Sequence, residues 1–253
     1  MLSIELVPRD IEKLRREAVD IATEFKEITW LNIPDIKRLE VRSHDAALAT
    51  TDVPLHVIPH VRARDRSTSD SVELVRQLAD AGIRDVLIVT GDQFDGEDCL
   101  HPTSLEVLRA VRNAHLNVTP WAAFDPYRGD LIQEIDYAKQ KIDAGAMGFF
   151  TQPFFDTNLA WVCLEQLRHV DTFVGISPVT SEKSARYWER TNRVVFPEGF
   201  TPTLEHSIGL SRELIELAND CGQHAYLMPI TVDAVTYLRS VFADVKARET
   251  ILP

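Results

Sequence analysis

The feature that most constrains this chain is a repeated alternation between short apolar runs and longer amphipathic stretches. The short runs are rich in β-branched and aromatic residues, which is typical of buried β-strands. Eight such runs predict strands: LSIELV (2–7), EITWLNI (27–33), PLHVIPHV (54–61), DVLIVTG (85–91), NVTPWAAF (117–124), GFFTQPF (148–154), TFVGISPV (172–179) and HAYLMPI (224–230).

The stretches between these runs have helical spacing of apolar residues, and several end in a glycine that follows a small residue. Predicted helices cover 8–25, 43–50 (weakly), 69–82, 103–114, 130–145, 157–170, 181–191 and 232–248. Strands that alternate with helices favour a parallel sheet. Eight repeats in 253 residues favour one closed β/α (TIM) barrel over residues 1–253. The chain has no G-x-G-x-x-G motif after a strand, which disfavours a classical dinucleotide fold.

Charge and composition narrow the function classes. The formal net charge of −12 repels phosphate backbones and anionic lipids, so nucleic acid and membrane surfaces are not predicted partners, and an anionic ligand needs a local cationic cluster. The three cysteines are widely spaced, and no His, Cys or Asp group has metal-site spacing, so no metal is predicted. The chain shows no signal peptide and no apolar run of membrane-spanning length, which predicts a cytoplasmic protein.

Candidate catalytic residues lie where the predicted strands end, because barrel enzymes carry their chemistry at that edge. Glu5 lies in an otherwise apolar strand at a position that points into the barrel mouth. Burial there would raise the pKa of its carboxyl group and let it hold a proton near neutral pH. The alternative is an ion pair with a basic residue of a neighbouring strand, and the spacing alone does not decide between them.

Two other strand ends carry polar groups suited to a ligand. Asp92 follows Thr90-Gly91, where glycine allows a ligand to approach the backbone; the alternative is a turn or N-cap aspartate. Gln152 ends the sixth strand, and its amide can donate and accept hydrogen bonds at a heterocycle edge. One of the flanking phenylalanines could stack on a flat ring, although most are expected in the core.

Taken in order, these segments resemble the methylenetetrahydrofolate reductase family. The matching segments are Ile4-Glu5-Leu6-Val7-Pro8, Pro59-His60-Val61, Ala81-Gly82-Ile83-Arg84, Thr90-Gly91-Asp92, Ala122-Ala123-Phe124, Lys139-Gln140-Lys141-Ile142-Asp143-Ala144-Gly145-Ala146, Thr151-Gln152-Pro153-Phe154-Phe155-Asp156 and Gly175-Ile176-Ser177-Pro178-Val179. The resemblance implies a folate substrate and reduction of 5,10-methylenetetrahydrofolate to 5-methyltetrahydrofolate with NAD(P)H.

The resemblance also implies roles for individual residues. Glu5 would be the general acid, Asp92 a carboxylate that contacts the pterin and stabilises its positive charge, and Gln152 a pterin hydrogen-bond partner. Phe155 and Tyr226 complete the expected substrate-binding set. The expected cofactor-binding set is His60, Thr90, Gly91, Ala122, Phe124 and Lys141. Arg186 and Arg193 are candidate contacts for the folate tail or the nicotinamide cofactor.

The departures from the family pattern concern the flavin. Members usually hold FAD with an Arg-Gly-Asp turn after the fourth strand, whereas this chain has Thr90 in place of the arginine. The segment after Phe124 is shorter and lacks a histidine, and Tyr137 and Gln140 replace expected Asn and Arg contacts. Two schemes stay open, retained FAD or direct hydride transfer from NAD(P)H, and the loss of cationic contacts slightly favours the second.

Two other functions remain compatible with the same residues. One is the reverse reaction, oxidation of methyltetrahydrofolate, and the other is a non-catalytic folate-binding protein. A buried acid such as Glu5 is not needed for simple binding, which disfavours the second. The sequence leaves open the choice of NADH or NADPH and whether the protein forms a homo-oligomer.

Overall fold

The computed structural model describes residues 1–91 and 102–249, with side chains described through residue 243. Eight parallel strands close into a barrel in the order β1-β2-β3-β4-β5-β6-β7-β8, which confirms the predicted fold class. The strands are β1 Leu2–Glu5, β2 Ile28–Ile33, β3 His56–Arg62, β4 Asp85–Val89, β5 Thr119–Phe124, β6 Gly148–Pro153, β7 Asp171–Ile176 and β8 His224–Leu227.

Helices surround the barrel and connect its strands. They are α1 Ile11–Glu24, α2 Ser43–Leu48, α3 Thr68–Asp80, α4 Ser104–Asn113, α5 Leu131–Ala144, α6 Thr157–Leu167, α7 Glu182–Asn192, α8 Leu204–Asp220 and α9 Ala234–Glu249, with a short 3-10 helix at Ala63–Asp65. None of the helices in the described ranges combines the length and the apolar character needed to cross a membrane.

Most helices begin at a side chain that caps the free backbone N–H groups of the first turn. Thr103 and Glu106 form a reciprocal capping box at the start of α4. Asp130 accepts hydrogen bonds from two backbone N–H groups at the start of α5, and Gly145 ends that helix with a φ of 117°. These local signals fix where each helix starts and stops on the barrel rim.

Helix α8 was missed by the sequence analysis, which placed no element between 191 and 224. The structure places a helix of 17 residues there, so β7 is followed by two helices rather than one. Thr203 caps its N-terminus, and its buried face includes Ser211, Leu214 and Ala218 at helical spacing. The small polar residues on that face, which weaken its apolar periodicity, hid the pattern.

The barrel core has two layers because side chains alternate across each strand. One cluster fills the barrel interior and contains Ile58, Leu87, Trp121, Phe150, Phe173, Tyr226 and Met228. Phe150 and Phe173 stack with ring centroids 4.3 Å apart, and the Trp121 indole donates a hydrogen bond to Asp85 at 2.7 Å. The larger cluster lies between the strands and the helices. The interior is therefore packed, and a ligand can enter only toward the mouth.

We predict that Gly148→Ala destabilises the barrel, because β6 and β7 approach closely at this position. A Cβ atom at Gly148 would lie 2.2 Å from the Asp171 carbonyl oxygen and 2.6 Å from a ring carbon of Trp121. The expected loss in unfolding free energy is about 1–3 kcal/mol, measured by urea denaturation. Gly129→Ala is the matched control, since nothing lies within 4 Å of the added methyl group. Equal stability of the two variants would contradict the close packing.

Candidate active site

A cavity of about 1000 Å³ opens at the mouth of the barrel. Its walls are built by residues at the ends of β1, β3, β4, β5, β6 and β8 and by the loops that follow the strands. The structure brings seven of the predicted residues to this cavity: Glu5, His60, Thr90, Gly91, Lys141, Gln152 and Tyr226. Asp92, also predicted in the site, lies outside the described residues.

Two residues predicted to bind a cofactor face away from the cavity. Ala122 and Phe124 are fully buried in the layer between β5 and the helices, and Phe124 packs edge-on against Phe149. Ala123, which lies between them, lines the cavity instead. The resemblance points to β5, but successive side chains of a strand face opposite sides of the sheet. Ala122 and Phe124, on either side of Ala123, therefore face the helices. The geometry does not support Ala122 and Phe124 as ligand contacts.

Phe155, predicted to contact the substrate, is also absent from the cavity wall. It is 1% exposed and packs in a separate aromatic cluster, with ring centroids 5.2 Å from Trp188 and 5.1 Å from Phe196. The same cluster contains Val179, which follows β7, and Ala185 and Trp188 of α7. Phe155 therefore acts in packing, and the structure gives it no contact with the cavity.

Glu5 is the acidic group at the centre of the site. The Tyr226 hydroxyl donates a hydrogen bond to its Oε2 atom, which joins the ends of β1 and β8. Burial raises the pKa of Glu5 to about 7, and the hydrogen bond from Tyr226 opposes that rise. No Lys or Arg side chain of the described ranges forms an ion pair with Glu5, so the alternative interpretation of Glu5 is not what the structure shows. The carboxyl can hold a proton at neutral pH.

A β-bulge brings Gln152 into the cavity wall. The register between β6 and β7 shifts between Phe150 and Pro153, and both Thr151 and Gln152 consequently line the cavity. The Thr151 hydroxyl fills the gap in the ladder: it accepts a hydrogen bond from the Gly175 N–H and donates to the Gln152 carbonyl, both at 2.8 Å. The side-chain amide of Gln152 is left for a ligand.

His60 is held as a neutral ring by its surroundings. Burial lowers its pKa to about 3. Its Nε2 atom lies 3.0 Å from the Asn32 Oδ1 atom, and the Asn32 amide donates to the Ser3 hydroxyl at 2.7 Å. This series of hydrogen bonds connects β3, β2 and β1 inside the barrel. With Nε2 donating to Asn32, the neutral His60 ring can accept a hydrogen bond at Nδ1 but carries no positive charge.

Lys141 reaches the cavity but its ammonium group is already engaged. The Nζ atom donates to the Ala123 carbonyl at 2.7 Å, lies 3.3 Å from Glu134 and sits 4.1 Å from the centre of the Tyr137 ring. Burial lowers the pKa of Lys141 to about 8, against the opposing effect of Glu134. With Thr90 in place of an arginine and Lys141 already engaged, these two motif positions do not supply the phosphate contacts that the resemblance implies for FAD.

The sequence analysis missed most of the positive charge in the site. Seven cationic residues line the cavity, namely Arg9, Arg38, Arg62, Arg64, Arg128, Lys141 and Lys183, against three acidic ones, Glu5, Asp35 and Asp125. The available signal was position, because Arg9, Arg38 and Arg64 each follow a strand end within a few residues. The predicted Arg186 and Arg193 do not line the cavity, and Arg193 instead donates to the Arg128 carbonyl at 3.1 Å.

The described residues hold no cluster of His, Cys, Asp or Glu suited to a metal ion.

Together these features define a β/α-barrel protein with a protonatable carboxyl and a cationic wall in one cavity. The family model for methylenetetrahydrofolate reductase matches residues 9–215. The chain therefore belongs to the methylenetetrahydrofolate reductase family.

Individual relatives are distant. A 5,10-methylenetetrahydrofolate reductase of Buchnera aphidicola subsp. Baizongia pistaciae (strain Bp) is 22% identical over 152 residues, covering 57% of this chain and 51% of the relative. The enzyme of the same name from Pectobacterium carotovorum subsp. carotovorum is 26% identical over 154 residues, covering 58% and 52%. The chain thus spans about half the length of the curated relatives it matches.

Solved structures share the fold at low identity. A protein from Clostridium thermocellum, which binds two copies of 5-methyl-5,6,7,8-tetrahydrofolic acid, has a TM-score of 0.73 and 14% identity, covering 100% of this chain and 96% of that one. An oxaloacetate acetylhydrolase has a TM-score of 0.59 and 13% identity, covering 100% and 86%. At these identities the likeness establishes the barrel fold alone.

We predict that the burial of Glu5 makes stability depend on pH. Its pKa is raised from 4.5 to about 7, so its contribution to stability is complete below pH 4.5 and is lost as the pH rises through 7. Compared with the wild type, Glu5→Gln should therefore gain stability with pH, reaching an advantage of about 2–3 kcal/mol at pH 8. Urea unfolding between pH 5 and pH 8 measures this difference. The exposed Glu12→Gln is the control, and a flat difference for Glu5→Gln would refute a buried, protonated carboxyl.

Proposed function

We propose that this protein reduces 5,10-methylenetetrahydrofolate to 5-methyltetrahydrofolate with NAD(P)H. The observation that carries the proposal is Glu5, a carboxyl group with a pKa near 7 in the wall of a cavity large enough for two ring systems. Membership of the methylenetetrahydrofolate reductase family supports the same reaction.

Glu5 acts as the general acid. It donates its proton to N10 of the folate, the C–N10 bond breaks, and the five-membered ring opens to a 5-iminium cation. A hydride from NAD(P)H then adds to the methylene carbon and leaves a methyl group and NAD(P)⁺. Tyr226 holds Oε2 of the carboxyl, so Oε1 is the atom that can present the proton to the substrate.

Gln152 and Asp92 orient the pterin in this proposal. The Gln152 amide can pair with the donor and acceptor edge of the heterocycle, and the bulge at Thr151 aims it into the cavity. Asp92 stabilises the developing positive charge, a role that rests on its place in the family motif.

We further propose that hydride passes directly from NAD(P)H without a flavin. Two observations support this choice. Lys141 is fully engaged by Ala123, Glu134 and Tyr137, and the fourth strand ends in Thr90-Gly91 without an arginine. At these two motif positions a flavin dinucleotide would then lack the cationic phosphate partners that the resemblance implies. Two of the groups that we assign to the folate, Gln152 and Tyr226, lie on β6 and β8.

The same residues serve the reverse reaction, because a general acid in one direction is the general base in the other. The direction in the cell then follows from the supply of methyltetrahydrofolate and of NAD(P)⁺. A purely folate-binding role is disfavoured, since a buried acid with a raised pKa contributes little to simple binding.

Replacement of Glu5 by Gln tests the general acid. We expect turnover to fall by roughly 10²–10⁴-fold, while the circular dichroism spectrum and the affinity for 5-methyltetrahydrofolate stay close to those of the wild type. Steady-state reduction of methylenetetrahydrofolate and equilibrium binding measure the two effects. Glu12→Gln, an exposed substitution with the same charge change, should retain full activity. Near-normal turnover of Glu5→Gln would remove this residue from the mechanism.

The kinetic pattern tests direct hydride transfer. Donor and folate must occupy the cavity together, with the nicotinamide C4 and the iminium carbon roughly 3–3.5 Å apart. We therefore expect intersecting double-reciprocal lines and a colourless purified protein whose activity does not change when FAD is added. Parallel lines, a bound flavin or activation by FAD would contradict the flavin-free scheme and leave the folate assignment in place.

A further inference from the structure

Three arginines at the cavity have no carboxylate partner in the described ranges: Arg9, Arg38 and Arg64. Outside the cavity, some arginines of the described ranges pair with a carboxylate. Arg15 lies 2.7 Å from Asp52, and Arg239 lies 2.7 Å from Glu24. In a protein with a net charge of −12, acidic partners are abundant, so unpaired guanidinium groups gathered on one cavity indicate a place for an external anion.

The barrel order makes these three residues neighbours along the rim. Arg9 follows β1, Arg38 follows β2, and Arg64 follows β3, and the three strands are adjacent in the sheet. Arg9 and Arg38 are exposed, and Arg64 is half-buried. The backbone N–H of Arg64 donates to the Thr90 carbonyl at 3.2 Å, which ties its loop to the end of β4.

The acidic residues of the cavity do little to neutralise this arc. Asp35 is already paired with Arg42 at 2.7 Å. Burial raises the pKa of Glu5 to about 7, so this carboxyl is only partly ionised at neutral pH, and Asp125 follows β5, outside the three strands of the arc. The arc over β1–β3 is therefore a positively charged strip on an otherwise acidic protein, and guanidinium groups match the geometry of phosphate oxygens.

We propose that Arg9, Arg38 and Arg64 bind the diphosphate of the nicotinamide dinucleotide that donates the hydride. This inference rests on the proposed function. Two side chains that we assign to the folate, Gln152 on β6 and Tyr226 on β8, lie on strands outside β1–β3. Glu5 ends β1, so a folate held by Gln152, Tyr226 and Glu5 extends to the edge of the arginine arc, where Arg9 lies, and leaves the segments after β2 and β3 to the donor. The other source of anionic oxygens is the glutamate tail of the folate, which the experiment separates from the donor.

The test compares Arg9→Gln/Arg38→Gln/Arg64→Gln with a control that changes the charge equally, Arg76→Gln/Arg109→Gln/Arg168→Gln, whose positions lie outside the cavity wall. Binding of NADH and NADPH is titrated at low and moderate salt. We expect the cavity variant to weaken the tighter dinucleotide by about tenfold or more and to flatten its salt dependence. The control should stay within about twofold of the wild type. Reduced nicotinamide riboside, which lacks phosphate, should bind the wild type and both variants alike.

Two further ligands test whether the arginines bind the diphosphate of the dinucleotide or the glutamate tail of the folate. The affinities for 5-methyltetrahydrofolate with one and with three glutamates should be unchanged in the cavity variant. Loss of the triglutamate affinity with unchanged dinucleotide binding would overturn the proposal, as would a wild-type protein that binds neither NADH nor NADPH. A wild-type protein that binds the dinucleotide through these arginines but does not reduce folate would refute only the proposed function. Circular dichroism and melting check the fold, and the exposed double variant Arg9→Gln/Arg38→Gln repeats the titration if the triple variant melts early.

Discussion

The closed hydrogen-bonded ring of eight parallel strands is the constraint on which the site depends. Closure makes β8 a neighbour of β1, and only this contact allows Tyr226 to reach Glu5. The aromatic cluster beneath them excludes water from the barrel interior. A carboxyl group placed above such a floor is desolvated, and the raised pKa of Glu5 follows. The proton that the proposed reaction needs is thus a consequence of the way the barrel closes.

The wall of the cavity at the barrel mouth carries more positive than negative side chains, whereas the whole molecule has a negative net charge. Some of these cations are structural: Lys141 is held by Glu134 and Ala123, and Arg62 pairs with Asp65. Three arginines without a carboxylate partner in the described ranges follow β1, β2 and β3. The paired cations stabilise the rim, whereas we assign the three unpaired arginines to a ligand.

Part of the cavity wall could be predicted because barrel chemistry gathers at strand ends. Glu5, Gln152 and Tyr226 were found in this way, and all three line the cavity. The errors have local causes. Ala122 and Phe124 lie on the correct strand but on its helix-facing side. Phe155 follows Gln152 by three residues, yet the chain has already turned into the packing beneath α7. Motif matches name segments, whereas contact with a ligand depends on the direction of each side chain.

The sequence by itself determined the repeat of strands and helices, most helix starts, and the candidate acid, because periodicity and capping are local properties of neighbouring residues. It did not reveal α8, whose buried face carries serines. Only the tertiary structure decided which side chains lie next to each other in the site. Tyr226 is 221 residues from Glu5 along the chain, and the arginines over β1–β3 come from three separate loops. Such distances are set when the sheet closes, since closure places chemical groups that are remote in sequence around one cavity.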